Sequence, residues 1–529
     1  MVTTQATTRV LIESTPFSNE PFIDFRLEEN ALKMRHAIDK VRTQLGREYD
    51  LVIGGRRLKT SVKIWSINPS RPSQVVGIHQ KAGADQVPLA MEAAQRAFET
   101  WSRTPVEERA QLLLRVSKAL RERKLEWAAW MVFEVGKNWA EADADVCETI
   151  DFCEFYAREA LRLVNAEPPI QLRGERDYLR HIPLGVGAVI PPWNFPLAIM
   201  AGMTAASIVC GNMVILKPSS DSPTIAAKFF ELLVECGLPD GVVNFCPGEG
   251  SAFGNTLVEH PRTRFVAFTG SKEIGLRINK AAADIRGGQT WIKRTILEMG
   301  GKNSILVDAD ADMDAAVEGV AVSAFGFQGQ KCSACSRAIV DERIYDKFLD
   351  RLKSRVEKIT LGDAEKNPTM GPVVNQHAME TILSYVQEGL GEGGRLLVGG
   401  ERLPEAGGYF VMPTVIADVD PEASIAQEEI FGPVLAVTPC HDFEHGLRIA
   451  NNTEFGLTGA LYSSSEEKID RAMQEFHVGN FYVNRKCTGA MVGAHPFGGF
   501  NMSGTDSKAG GSEYLYLFTQ AKSIGRKWN

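Results

Sequence analysis

Two side chains in this sequence could run a two-stage acyl chemistry. Cys332 sits in a glycine-flanked turn, Phe327-Gln328-Gly329-Gln330-Lys331-Cys332-Ser333-Ala334-Cys335, and Glu298 sits earlier, in Leu297-Glu298-Met299-Gly300-Gly301-Lys302-Asn303. A thiolate can attack a carbonyl and be left as an acyl-enzyme. A carboxylate can then activate the water that releases the acyl group. Cys332 and Cys335 also form a CxxC, which opens two other readings, a redox pair or half of a zinc site. Zinc needs a second Cys or His pair at suitable spacing, and His377, Cys440 and Cys487 do not supply one, so no metal is expected. A thioredoxin-like motif belongs in a small βαβ domain and fits poorly this deep in a long chain.

The elements that must position these groups need more than one domain, because 529 residues exceed what one hydrophobic core usually supports. Apolar content of 44% and charged content of 23% fit a globular chain, and a net charge of −8 with no basic run argues against nucleic acid as a partner. The first nine residues carry no apolar signal core. Residues 184–216 lack charge over a length that suits a membrane helix, but Pro191, Pro192, Pro196, Gly202, Gly211 and Asn212 interrupt them. That segment is expected to be strand, loop, buried helix and strand, with no membrane span. Nine irregularly spaced cysteines are not a disulfide framework, so a cytoplasmic, reducing location is expected.

Residues 85–165 read as helices, with Ala90, Ala93, Ala94, Ala97, Phe98 and Trp101 on one face. Residues 165–180 look like an exposed β-hairpin; exposed strands invite pairing with another chain, so this segment is read as an oligomerisation arm. Strands are then expected at 213–216, 242–245 and 265–268, with helices between them. A second α/β set follows Gly300, with strands at 304–307 and 337–340 and helices around 312–325 and 345–359. This alternation predicts parallel sheets with crossover helices.

Two glycine turns follow predicted strands. Pro247-Gly248-Glu249-Gly250-Ser251-Ala252-Phe253-Gly254 is one residue longer than a dinucleotide fingerprint, and an ordinary tight turn explains it equally well. Gly270-Ser271-Lys272-Glu273-Ile274-Gly275 opens a helix after a strand, where free N–H groups suit a pyrophosphate; Ser271 also reads as an N-cap. Lys217, past the end of a buried strand, could reach a ribose or phosphate.

Together these motifs resemble the aldehyde dehydrogenase superfamily. The resemblance is carried in order by Pro192-Trp193-Asn194-Phe195-Pro196, Lys217-Pro218-Ser219-Ser220, Phe268-Thr269-Gly270-Ser271, Leu297-Glu298-Met299-Gly300-Gly301-Lys302, Gly329-Gln330-Lys331-Cys332 and Glu428-Glu429-Ile430-Phe431-Gly432-Pro433. It implies an α/β fold: a Rossmann-type nucleotide domain (residues 1–164 and 184–298, with an N-terminal helical extension), an α/β catalytic domain (299–505) and a β-hairpin oligomerisation arm (165–183 and 506–529). It also implies that Cys332 is the nucleophile, Glu298 the deacylation base, and that the Asn194 amide and the Cys332 N–H hold the oxyanion. Glu429, Phe431, Lys217, Ser220, Trp193, Gly248, Gly270 and Ser271 would bind the cofactor. Many NAD-preferring relatives carry an acid where this chain has Ser220. NAD is expected as the preferred cofactor, with NADP left open because no carboxylate there repels a 2′-phosphate. Relatives that pass the acyl group to coenzyme A generally lack the glutamate, so hydrolysis is expected.

The segment Thr488-Gly489-Ala490-Met491-Val492-Gly493-Ala494-His495-Pro496-Phe497-Gly498-Gly499-Phe500 resembles the anchor loop of the L-glutamate-γ-semialdehyde dehydrogenases within that superfamily. That resemblance implies capture of a substrate carboxylate by the N–H groups of Gly489 and Ala490, as in a backbone nest. Phe497 and Phe195 would sandwich the aliphatic chain, Ser333 and Lys331 would bond the carboxylate, and Glu148 would face the ammonium. A solvated helix-face acid is the other reading of Glu148. The implied reaction is oxidation of L-glutamate γ-semialdehyde to L-glutamate in proline catabolism, in a homodimer or larger homo-oligomer, with a separate proline dehydrogenase upstream. An enzyme for another small aldehyde and a non-catalytic thiol-redox protein are the alternatives.

Overall fold

The structure, a computed structural model, describes residues 16–165, 168–403 and 407–528. The first nine residues, read as free of a signal core, lie outside these. Two seven-stranded sheets organise the chain. In spatial order the first runs Arg294–Glu298, Phe265–Thr269, Val186–Ile190, Met213–Leu216, Val243–Phe245, Leu51–Ile53 and Arg56–Leu58. Its first five strands are parallel, and the last two are antiparallel additions at the edge. Val186–Ile190 and Met213–Leu216 are buried along their whole length, as strands covered on both faces by helices must be.

The uncharged stretch 184–216 folds as strand Val186–Ile190, helix Ala198–Val209 and strand Met213–Leu216. Among the described residues no helix is long and apolar enough to cross a membrane. From Val186–Ile190 the chain winds toward Met213–Leu216; from the adjacent Phe265–Thr269 it winds the other way, toward Arg294–Glu298. The gap between the carboxyl ends of those two neighbours is a topological switch point, where open α/β sheets bind ligands. Pro191 to Asn194 leave one end and Gly270 and Ser271 leave the other.

The second sheet comes entirely from later sequence: Arg395–Val398, Thr414–Ala417, Val434–Cys440, Cys335–Asp341, Asn303–Val307, Thr458–Tyr462 and Asn480–Val483. Only its first strand is antiparallel. Each sheet carries its own apolar core. The helices of the 85–165 region form as expected, at Gln86–Trp101, Val106–Glu122, Lys124–Val135 and Trp139–Val164.

One expectation fails. Residues 165–180 do not make a hairpin among the described residues. Gly174 turns the chain with φ 83°, and the strand that follows, Glu175–Pro183, pairs antiparallel with Thr519–Lys527 at the far end of the sequence. Alternation marks a strand but carries no information about its partner. The ribbon leaves apolar side chains in solvent before and along it, with Ile170 91% and Leu179 51% exposed.

Candidate active site

The turn before Cys332 is held in a conformation its residues do not favour. Helix Met313–Phe325 ends, and Phe327, Gln328 and Gly329 follow with φ of 48°, 58° and 66°. A non-glycine residue in the left-handed region costs roughly 1–3 kcal/mol and persists only where its surroundings over-determine it. Those surroundings are visible. The Gln328 amide donates to the carbonyls of Pro372 (2.7 Å) and Gly136 (3.3 Å). Gly329 packs so closely on Gly432 that a Cβ would lie 2.2 Å from its carbonyl oxygen. Gln330 Oε1 accepts from Val374 N–H at 2.9 Å, and the Asn303 amide donates to the carbonyls of Cys332 (2.7 Å) and Ala334 (2.9 Å). Gln328, Gln330 and Asn303 had no assigned role in the sequence reading, although all three lie inside the motifs that pointed to the site.

Cys332 is half-buried in the lining of a cleft of about 660 Å³. Burial pushes its thiol up, and the charges of Glu429 and Glu298 push the same way, so at neutral pH it rests protonated. The Asn194 amide, also on the cleft wall, donates to Gln330 O at 3.0 Å, which ties it to the backbone two residues before Cys332. Glu298 ends the edge strand Arg294–Glu298. Burial raises its carboxyl to about 8, opposed first by a hydrogen bond from Ser507.

The cleft follows the switch point. Trp193, Lys217, Ser220, Gly270, Ser271, Glu429 and Phe431 all line it. Ser271 is the N-cap of helix Lys272–Ala283, accepting from Ile274 N–H at 3.4 Å, so capping and facing the cleft are both true of it. Burial lowers the Lys217 amine to about 8. Glu429 accepts from Gly301 N–H at 3.0 Å and is raised by burial to about 7. Phe431, with φ 57°, stands edge-on to Trp193 at 5.6 Å between centroids. Gly248 is a correction. It is absent from the cleft lining, bridges to Ala82, and a Cβ on it would meet Ala82 O and Phe253 at 2.9 Å; Gly250 and Gly254 line the cleft instead. The turn is therefore a packing turn at its first glycine, and the spacing alone could not distinguish the two. Asp221, beside Ser220, brings a carboxylate to the same wall, bonded by the Asn375 amide at 3.0 Å.

This lining fits a dinucleotide. A buried amine whose one side-chain hydrogen bond among the described residues is a long one, 3.4 Å to Pro218 O, the N–H groups opening a helix, and the carboxyl and aromatic ring of Glu429 and Phe431 line one groove.

Beyond Cys332 the side chains are charged in pairs. The Lys137 amine and the Asp145 carboxyl meet at 2.7 Å with both side chains fully buried. The same amine lies 4.0 Å from the Phe195 ring centroid and 4.7 Å from that of Phe327. Lys331 pairs with Glu141 at 2.7 Å. Glu148 is not the solvated acid of the alternative reading; burial, then the charge of Asp145, raises it to about 8. Gly489 has φ 78°, and the Arg485 guanidinium donates to the carbonyls of Thr488 and Gly489 at 3.1 and 3.2 Å, which orients the loop that also holds Ala490. Phe497 exchanges backbone hydrogen bonds with Ala509. Ser333 is buried, its carbonyl accepting from Thr458 at 3.3 Å. Cys335 is a packed core residue whose thiol lies against Arg337 O, and among the described residues no cluster of His, Cys, Asp or Glu could hold a metal ion.

Lys137 was missing from the sequence reading because a lone lysine after a helix-ending glycine has no signal. Its replacement by methionine is expected to strand the Asp145 charge and to lower stability by about 3–5 kcal/mol, measured by denaturant unfolding.

A model of the aldehyde dehydrogenase family matches residues 58–524. The chain is 52% identical over 510 residues to the 1-pyrroline-5-carboxylate dehydrogenase of Geobacillus thermodenitrificans, covering 96% of this chain and 99% of that one. Its fold matches a crystal structure of Thermus 1-pyrroline-5-carboxylate dehydrogenase with bound NAD at a TM-score of 0.95 and 50% identity, over 97% of this chain and 99% of that one. Proline utilization A of Bdellovibrio bacteriovorus matches at a TM-score of 0.95 and 44% identity, and there this chain covers 53% of the longer protein. With the Cys332 turn, the cleft and these matches all in agreement, the chain belongs to the aldehyde dehydrogenase family.

Proposed function

We infer that this protein oxidises L-glutamate γ-semialdehyde, the open form of 1-pyrroline-5-carboxylate, to L-glutamate with NAD. The observation that carries this reading is that Cys332 and Asn194 line the same cleft as the groups suited to a dinucleotide, in a chain half identical to relatives named for that substrate.

Cys332 Sγ attacks the aldehyde carbon as its thiol proton passes to solvent, leaving the carbonyl oxygen as an oxyanion. The Asn194 amide and the Cys332 N–H hold the oxyanion, and losing one such donor typically costs about 3 kcal/mol. Bound NAD supplies a cationic ring that favours the thiolate and accepts hydride from the tetrahedral carbon. The group left on sulfur is a thioester. Glu298 takes a proton from water, the water oxygen joins the acyl carbon, and Cys332 departs. Lys217, Ser220, Gly270, Ser271, Trp193, Glu429 and Phe431 hold the cofactor, with NAD preferred. Gly489, Ala490, Ser333 and Lys331 take the substrate carboxylate, Glu148 the ammonium, and Phe195 and Phe497 the chain between.

The domain reading follows the sheets: residues 1–164 and 184–298 bind the nucleotide and 299–505 carry the catalytic turn. Residues 165–183 with 506–529 form the arm of a homo-oligomer, supported by the exposed Ile170 and Leu179. A cytoplasmic location is supported by nine unpaired cysteines. A functional link to a proline dehydrogenase is supported by the match to proline utilization A.

Steady-state NADH formation with 1-pyrroline-5-carboxylate, against a panel of simple aliphatic aldehydes, tests the substrate. The expected kcat/KM favours 1-pyrroline-5-carboxylate by at least about 100-fold, the discrimination a buried polar site gives against analogues lacking its partners. A preference for simple aldehydes would overturn the reading.

A further inference from the structure

Glu298 lies on an edge strand, and what closes its free side is a loop, residues 503–509. Met299 N–H donates to Ser503 O at 2.7 Å, Thr505 N–H to Leu297 O at 2.9 Å, and Leu297 N–H to the Thr505 hydroxyl at 3.0 Å. Glu298 and Gly504 form an antiparallel bridge. Asp506 and Lys508 then adopt φ of 52° and 50°, and between these two reversals the buried Ser507 hydroxyl donates to Glu298 Oε1. The Lys508 amine beyond it is pinned by the carbonyls of Gly479 and Gly498, both at 2.8 Å. Ala509 pairs with Phe497, so one loop connects the carboxyl group to the segment read as the substrate anchor.

The two oxygens of Glu298 are therefore unequal. Oε1 is engaged by Ser507, while Oε2 is buried and, among the described residues, meets no donor. We propose that Ser507 is a positioning residue for hydrolysis: its hydroxyl fixes Oε1 and leaves Oε2 as the oxygen that takes the proton of the attacking water. This rests on the reading of Glu298 as the deacylation base. Water loses a proton to Oε2, its oxygen bonds the acyl carbon, and the carbon–sulfur bond breaks with its electron pair on Cys332. A hydrogen bond to the ionised form also favours that form. Ser507, Lys508 and the backbone N–H groups of Ser507 and Gly499 act on Glu298 in that direction; burial opposes them. Cys332 and Tyr514 also feel the Glu298 charge, and each is raised by it.

Ser507→Ala removes the hydroxyl and keeps both backbone donors. In rapid-quench and steady-state assays the first-turnover NADH burst is expected to be unchanged, while decay of the acyl-enzyme slows by about tenfold, the scale of a lost hydrogen bond to a charged group. KM for NAD should stay the same, and the rising limb of the pH profile should move to higher pH. Ser507→Thr should restore both. A Ser507→Ala enzyme with unaltered acyl-enzyme decay and an unmoved limb would overturn the proposal. So would one whose burst slows in step with turnover, since that is a general disturbance of the site. Glu298→Gln run alongside separates the two claims: full turnover there removes the base itself, whereas a stalled Glu298→Gln enzyme beside an unaffected Ser507→Ala enzyme removes only the positioning role.

Discussion

Cys332→Ala is expected to abolish NADH formation, by a factor on the order of 10⁴ or more, while NAD binding measured by fluorescence titration stays within about twofold. The size follows from the covalent route: without the sulfur there is no tetrahedral adduct and no carbon from which hydride can leave. Survival of binding follows from the geometry. Cys332 is one residue of the cleft lining, whereas Lys217, Ser271 and Glu429 sit on other segments that the substitution does not touch. The turn itself is held by Gln328, Gln330 and Asn303 through backbone groups, and none of those bonds uses the Cys332 side chain. NADH formation by this variant would remove Cys332 as the nucleophile.

Glu298→Gln should separate the half-reactions. One equivalent of NADH is expected per site in a rapid burst, after which steady-state turnover falls by about 10²–10⁴-fold, the usual contribution of a general base. Glutamine keeps the shape and the polar contact with Ser507, so hydride loss is spared and only water activation is lost. The pH dependence adds an independent check. Glu298 is raised to about 8, so its basic, ionised form grows in as pH increases through that value. Wild-type hydrolysis should rise across pH 7–9, and the Glu298→Gln enzyme should show no such limb. Equal limbs in both enzymes would assign the titration elsewhere.

Much of this was legible in the order of residues. Runs such as Met213–Leu216 and Phe265–Thr269 declared buried parallel strands because a strand covered on both faces has no polar side to show. The turn at Gly270 and Ser271 announced a helix start after a strand; the residue types of Cys332 and Glu298 offered a thiol and a base, and the resemblance of the motifs added an oxyanion donor at Asn194 and a cofactor contact at Glu429 as implications.

Tertiary structure decided what depends on distant partners. Glu175–Pro183 pairs with Thr519–Lys527 across the whole chain, which alternation cannot encode. Gly248 turned out to be a packing glycine because Ala82 and Phe253 close on it. Lys137, Asp221 and Ser507 gained their places only when separate segments met around Phe195, the cofactor groove and Glu298. The physical reason is the same throughout. Residue type sets which chemistry a side chain can do, and that is written locally. Burial, charge pairing and the choice of which carboxylate oxygen stays free arise from neighbours brought together by folding. That is why Glu298 stood out as an acid from its motif, but as a carboxyl raised to about 8, with one oxygen that meets no donor among the described residues, only from the fold.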